Sequence, residues 1–101
     1  MAFNKLTDAE AERLDLLSEE CAEVIQAICK IKRHGYESDK SHYHAASPSE
    51  TNRRALSREI GHIVSSIQRL YRRGDITQPD VVNSSEQKST EVIQYLHHNE
   101  D

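Results

Sequence analysis

Two short acidic clusters, Ser18-Glu19-Glu20-Cys21-Ala22-Glu23 and Arg58-Glu59-Ile60-Gly61-His62, each set a glutamate and a second metal-ligating side chain three residues apart. On a helix, positions i and i+3 share a face, so Glu20 with Glu23 and Glu59 with His62 are two ready-made pairs of ligands. Two such helices side by side would present four ligands to one space, as all-helical carboxylate proteins do for divalent cations. Partly buried carboxylates at close range repel one another, and a divalent cation relieves the repulsion. Oxygen-rich sites of this kind suit Mg²⁺ or Mn²⁺. A single Glu-x-x-Glu on a helix is more often a solvated face or local pairing. Two pairs, placed alike on two helices, tip the balance toward a site.

The elements that position them are legible. Thr7-Asp8-Ala9-Glu10 is a capping box, with Thr7 as N-cap. Apolar positions then step by three and four along Leu14, Leu17, Cys21, Val24, Ile28 and Ile31, a seam of heptad a and d positions. No Gly or Pro interrupts until Gly35, which follows the basic Lys32-Arg33-His34. Helix one is therefore expected over about 7–34 and a loop over 35–50. Helix two is expected over about 51–73, on the seam Leu56, Ile60, Ile63, Ile67 and Leu70, ending at Gly74. With Leu14 and Ile60 at a, Glu20 and Glu59 both fall at g, and Glu23 and His62 both at c. On helix one the carboxylates lie in a stripe bordered by Leu16 and Ala27, which a solvated charged face would not show. Pro79 marks a connector, and Ser84 with Gln87 suggests a second capping box opening a shorter third helix over about 85–97 with Val92, Ile93 and Leu96. Tyr71 and Tyr95 are expected to pack, and Cys21 to lie in the core. The fold class is all-α: an antiparallel helical hairpin plus a shorter third helix, assembling into a multi-helix bundle as a dimer or tetramer.

Bulk properties bound the function. At 101 residues the chain is expected to be a single domain, 1–101, with a core too small for much stability as a monomer. Lys+Arg 13 against Asp+Glu 17 gives a net charge of −4, so no general basic field draws in nucleic acid. No apolar run is long enough for a membrane span. Met1 to Leu6 has no apolar signal-peptide region, and Cys21 and Cys29 lie about 12 Å apart along one helix, too far to bridge. Two reduced thiols in a cytoplasm is the expectation.

The run from Leu17 to Ala27, Leu-Ser-Glu-Glu-Cys-Ala-Glu-Val-Ile-Gln-Ala, resembles the first motif of MazG-like nucleotide pyrophosphohydrolases, especially small phage-type members. That family carries Glu-Glu-x-x-Glu on one helix and Glu-x-x-Asp on the next. Lys30 to Gly35 is similar to the usual end of the first helix, and Asn52 to Gly61 to the approach to the second motif; the resemblance covers about residues 14–74. The second motif departs, with His62 at the family's Asp position.

The resemblance implies an all-α enzyme, a homodimer or homotetramer, that uses Mg²⁺ or Mn²⁺. It would cut a (deoxy)nucleoside triphosphate between the α and β phosphates. By position it implies Glu20, Glu23 and Glu59 as metal ligands, and Glu19 as an outer ligand or the group that orients the attacking water. The triphosphate also needs positive charge: Lys30 and Arg33 share the Glu19, Glu23, Gln26 stripe and are the candidates, with Asn52 a further polar contact. Some small phage members act on purine deoxynucleotides such as dGTP or dATP, so the resemblance leans toward these; no residue here decides the base.

His62 has three readings: a nitrogen ligand that shifts metal preference from Mg²⁺ toward Mn²⁺, a hydrogen-bond partner of Glu59 or phosphate, or the mark of a degenerate site. An active site with His62 on or beside the metal is the favoured one. The rivals are a nucleotide-binding or sequestering protein without turnover and a helical adaptor. His42-Tyr43-His44, with His34 nearby, is a weaker zinc candidate, and Tyr36 or Tyr43 is a candidate to stack on a base.

Overall fold

The computed structural model describes residues 3–39 and 50–98. They form α1 (Asp8–His34), α2 (Asn52–Arg73) and α3 (Gln78–Glu91), and a 3₁₀ turn (Val92–Tyr95) follows α3. No strand occurs among the described residues. No described helix is long and apolar enough to cross a membrane. The chain divides into two compact units, Met1–Arg69 and Leu70–Asp101.

In the first unit, α1 starts as its capping box dictates. The Thr7 hydroxyl accepts from the Glu10 amide at 3.1 Å, and the Glu10 carboxylate accepts from the Thr7 amide at 2.8 Å. Gly35 ends the helix with φ +88°, its amide bonded to the Ile31 carbonyl. A side chain at that φ would be strained.

The start of α2 is bonded back onto the end of α1. The Asn52 side-chain amide donates to the carbonyls of Gly35 (3.0 Å) and Lys30 (3.4 Å). The backbone amides of Asn52 and Arg53 donate to the carbonyls of Ser38 and Tyr36. The Arg53 guanidinium lies over the Tyr36 ring at 4.4 Å and pairs with Glu37 at 2.7 Å. One face of the Tyr36 ring, a candidate to stack on a base, is thus taken by Arg53. His42, Tyr43 and His44 lie outside the described residues.

The hairpin buries a different face from the expected seam. Leu17, Val24, Ile31, Leu56 and Ile63, all at d, are half-buried, as is Ile67 at a. The other a positions are exposed: Leu14 (42%), Cys21, Ile28 and Ile60 (46%). The inward partners of the d column are instead g positions. On α1 these are Glu20 and Ala27, and on α2 they are Asn52, Glu59 and Ser66. The physical reason is close approach: Ala27 and Ser66 are small and both buried, which lets the backbones come together along d and g. Cys21, expected in the core, is therefore on the surface.

In the second unit, α2 closes in a Schellman arrangement. Gly74 at φ +76° donates to the Tyr71 carbonyl, and Asp75 to the Leu70 carbonyl. Helix α3 begins seven residues before its expected start at 85. Thr77 is the N-cap and Pro79 sits in the first turn, where its missing N–H costs no hydrogen bond. Pro79 therefore opens this helix. Ser84 and Gln87 lie inside it and make no capping box. Val92 and Ile93 fall in the 3₁₀ turn, and Leu96 follows it. Tyr95 is 73% exposed and does not pack.

Candidate metal centre

Packing along d and g turns Glu20 and Glu59 toward each other, and the c positions, next to g on the helical wheel, bring Glu23 and His62 to the same edge. One ligand atom from each of Glu20, Glu23, Glu59 and His62 lies within 4.8 Å of all the others. His62 Nδ1 is 3.4 Å from Glu20 Oε2 and 3.4 Å from Glu59 Oε2. Neither oxygen has a hydrogen-bond partner, and both are buried. The glutamate side chains reach the site from inside the hairpin: Glu59 retains 10% of its side-chain exposure and Glu20 17%, against 47% for His62.

The electrostatics are those of a crowded acidic site. The Glu23 carboxyl is held above the ordinary 4.5, first because it hydrogen-bonds Glu59 and then through repulsion from Glu59. Glu59 is held below it by the same Glu23 hydrogen bond, with help from Arg58. The two carboxyls are thus pushed in opposite directions, Glu23 up and Glu59 down.

Arg58 is the residue that sequence reasoning left outside the site. Its Nη1 donates to Glu59 Oε1 at 2.6 Å, while Nε and Nη2 form a fork on Glu50 at 3.1 and 3.2 Å. Glu59 thus has one oxygen fixed by a guanidinium and the other unpaired in the cluster. Adjacent helical residues do not face each other, so the 58–59 contact is not a pattern that helical spacing announces. It depends on the reach of the guanidinium. Beside the cluster lies a cleft of about 280 Å³ bordered by Glu23, Gln26, Ala27, Lys30, Asn52, Ala55, Arg58 and Glu59.

The other expected site residues are placed as follows. Lys30 borders the cleft. Arg33 is exposed and does not border it. Glu19 is exposed and outside the four-residue cluster. Asn52 borders the cleft, but its amide is bonded to the two α1 carbonyls, so it ties the helices together.

The donor set, three carboxylates and one imidazole with two unpaired buried oxygens, fits a divalent cation. No family model, no curated protein and no solved structure matches the chain.

Proposed function

We propose that this protein is a metal-dependent nucleoside triphosphate pyrophosphohydrolase that releases a nucleoside monophosphate and pyrophosphate. The observation that carries the reading is the convergence of Glu20, Glu23, Glu59 and His62 beside a cleft that also holds Lys30 and Arg58. Anionic ligands for a cation and cationic side chains for an anion, side by side, suit a phosphate chain bound through a metal. The resemblance of Leu17–Ala27 to the MazG-like first motif points the same way.

In this reading the three carboxylates and His62 hold the metal, Mg²⁺ or Mn²⁺ by the resemblance. When bound, a divalent ion polarises a phosphoryl oxygen and lowers the pKa of a water. Arg58 fixes Glu59 so that Oε2 points into the cluster. Lys30 and Arg58 offset the charge of the phosphates, and Gln26 offers a neutral hydrogen-bond donor on the same rim. A dication held by these carboxylates would relieve the repulsion that raises the Glu23 carboxyl. Glu19 remains the outer group that would orient water.

The chain is also proposed to work as a homodimer or homotetramer. The uncovered a positions and the exposed Ile25 (61%) and Val64 (48%), both at e, form an apolar flank beside d on the side away from g. A second hairpin would cover it.

The test is product analysis by ion-exchange chromatography, with each common NTP and dNTP, in Mn²⁺ and then Mg²⁺. Monophosphate and pyrophosphate from one or a few substrates support the reading and identify the base. No turnover with either ion at high protein concentration overturns it. The second reading, a nucleotide-binding protein without turnover, is favoured by one feature: His62 stands 3.4 Å from two carboxylates, where an imidazolium would supply a cation of its own.

A further inference from the structure

We propose that His62 makes this a nitrogen-containing site, which takes a first-row transition dication such as Mn²⁺ or Co²⁺ and discriminates against Mg²⁺. The inference rests on the proposed function only in taking the cluster to be a metal site. It goes beyond it in assigning the class of ion and the residue that selects it.

Two buried carboxylate oxygens beside His62 lack the partner that burial requires. His62 Nδ1 stands 3.4 Å from Glu20 Oε2 and 3.4 Å from Glu59 Oε2, yet both oxygens are left without a hydrogen bond. Glu59 is only 8% exposed, and an unpaired oxygen on a carboxylate so buried is costly to leave unsatisfied. Its other oxygen is already held by Arg58 at 2.6 Å, so the free one cannot turn away to find a partner without breaking that bond. One unpartnered carboxylate oxygen from each helix thus stands beside the same imidazole nitrogen, as ligands stand around an ion. Two ligand atoms each about 2.1 Å from a shared cation sit about 3.0–3.4 Å apart, the separation seen here between His62 and each carboxylate.

The identity of the ion then follows from the donor atoms. Mg²⁺ demands oxygen, sheds water reluctantly and gains little from imidazole. Manganese, cobalt and zinc accept imidazole nitrogen, in rising affinity along the first row. Three carboxylates and one imidazole also carry one negative charge fewer than four carboxylates, which removes part of what holds a hard dication. The same cluster with an aspartate at position 62 would be the oxygen-only site that suits Mg²⁺.

The experiment measures binding, independent of turnover. The full-length chain and the His62→Asp variant are titrated with Mn²⁺, Co²⁺ and Mg²⁺ by calorimetry, in mildly alkaline buffer where imidazole is a neutral ligand. The wild type is expected to bind Mn²⁺ and Co²⁺ far more tightly than Mg²⁺. His62→Asp is expected to narrow that gap by about 10- to 100-fold, the range typical of changes around a metal site. Pulsed electron paramagnetic resonance of Mn²⁺ on the wild type supplies a reading that needs no variant: modulation from a directly bound ¹⁴N is expected. Equal affinities for Mg²⁺ and Mn²⁺, an unchanged gap in a folded variant, bound Mn²⁺ without nitrogen modulation, or no metal binding would each overturn the proposal. Selective metal binding without nucleotide turnover leaves it standing while sinking the hydrolase. Turnover with equal Mg²⁺ and Mn²⁺ affinities does the reverse.

Discussion

Each glutamate in the cluster has its own electrostatic task, and substitutions should separate them. Glu20→Gln and Glu23→Gln remove a ligand charge without changing shape, so turnover should fall by more than about 100-fold, beyond the range seen for outer partners, with the circular dichroism spectrum unchanged. Full activity in either would end the site assignment. The opposed shifts of Glu23 and Glu59 give a pH signature. Glu23 is raised above 4.5, so its contribution to stability is present in acid and lost as pH rises through its folded value. Glu59 is lowered, so its contribution is present above 4.5 and lost as pH falls through its own folded value. Without metal, the pair should therefore stabilise the fold most between those two values, and stability should fall on the alkaline side. Melting curves across pH, with chelator and with Mn²⁺, should show that fall, its reversal by the metal, and its absence in Glu23→Gln. The two cations also separate: Lys30→Gln should raise KM with Mn²⁺ affinity unchanged, whereas Arg58→Gln should raise KM and weaken Mn²⁺ binding by about 10- to 100-fold. Of this site, Glu20, Glu23, Glu59 and His62 were readable from spacing alone, because i, i+3 placement on two helices is local. Arg58 and Glu50 were not, since their contact spans eight residues at the start of α2.

Caps and apolar period fix where an element begins more reliably than which way it faces. The bounds of α1 and α2 follow from Thr7, Gly35 and Gly74 to within a residue of the expectation. The start of α3 does not, because proline ends a helix from within but opens one from its first turn. The a/d reading took Leu14, Cys21, Ile28 and Ile60 as interior. The hairpin instead closes on d and g, where Ala27 and Ser66 are small enough to be enclosed. Periodicity cannot tell these apart, because g, d, a and e form one continuous arc on each helix. Asn52 was read as a ligand of substrate, yet its partners are the carbonyls of Lys30 and Gly35. Asn52→Ala should then destabilise the protein by about 1–3 kcal/mol, the cost of unpairing buried hydrogen bonds, measured by urea unfolding. An unchanged midpoint with a raised KM would return Asn52 to the substrate.

Among the described residues the apolar side chains that are buried rather than half-buried are Ala27 and Leu70 alone, and the smaller the core, the more a chain gains from burying apolar surface against another copy. If a second hairpin covers the a/e flank, Ile60→Lys should convert the assembly to monomer and lower its melting temperature, read by sedimentation velocity and calorimetry. An oligomer unchanged by Ile60→Lys would place the contact elsewhere. The helices that carry the ligands are joined in sequence by residues 35–51, and the two ends of that connection are bonded to each other. Asn52 and Arg53 are bonded to residues 35–38 at its neck. The alignment of the four ligands is therefore anchored at one end of the hairpin, by the short span 35–38 meeting residues 52 and 53.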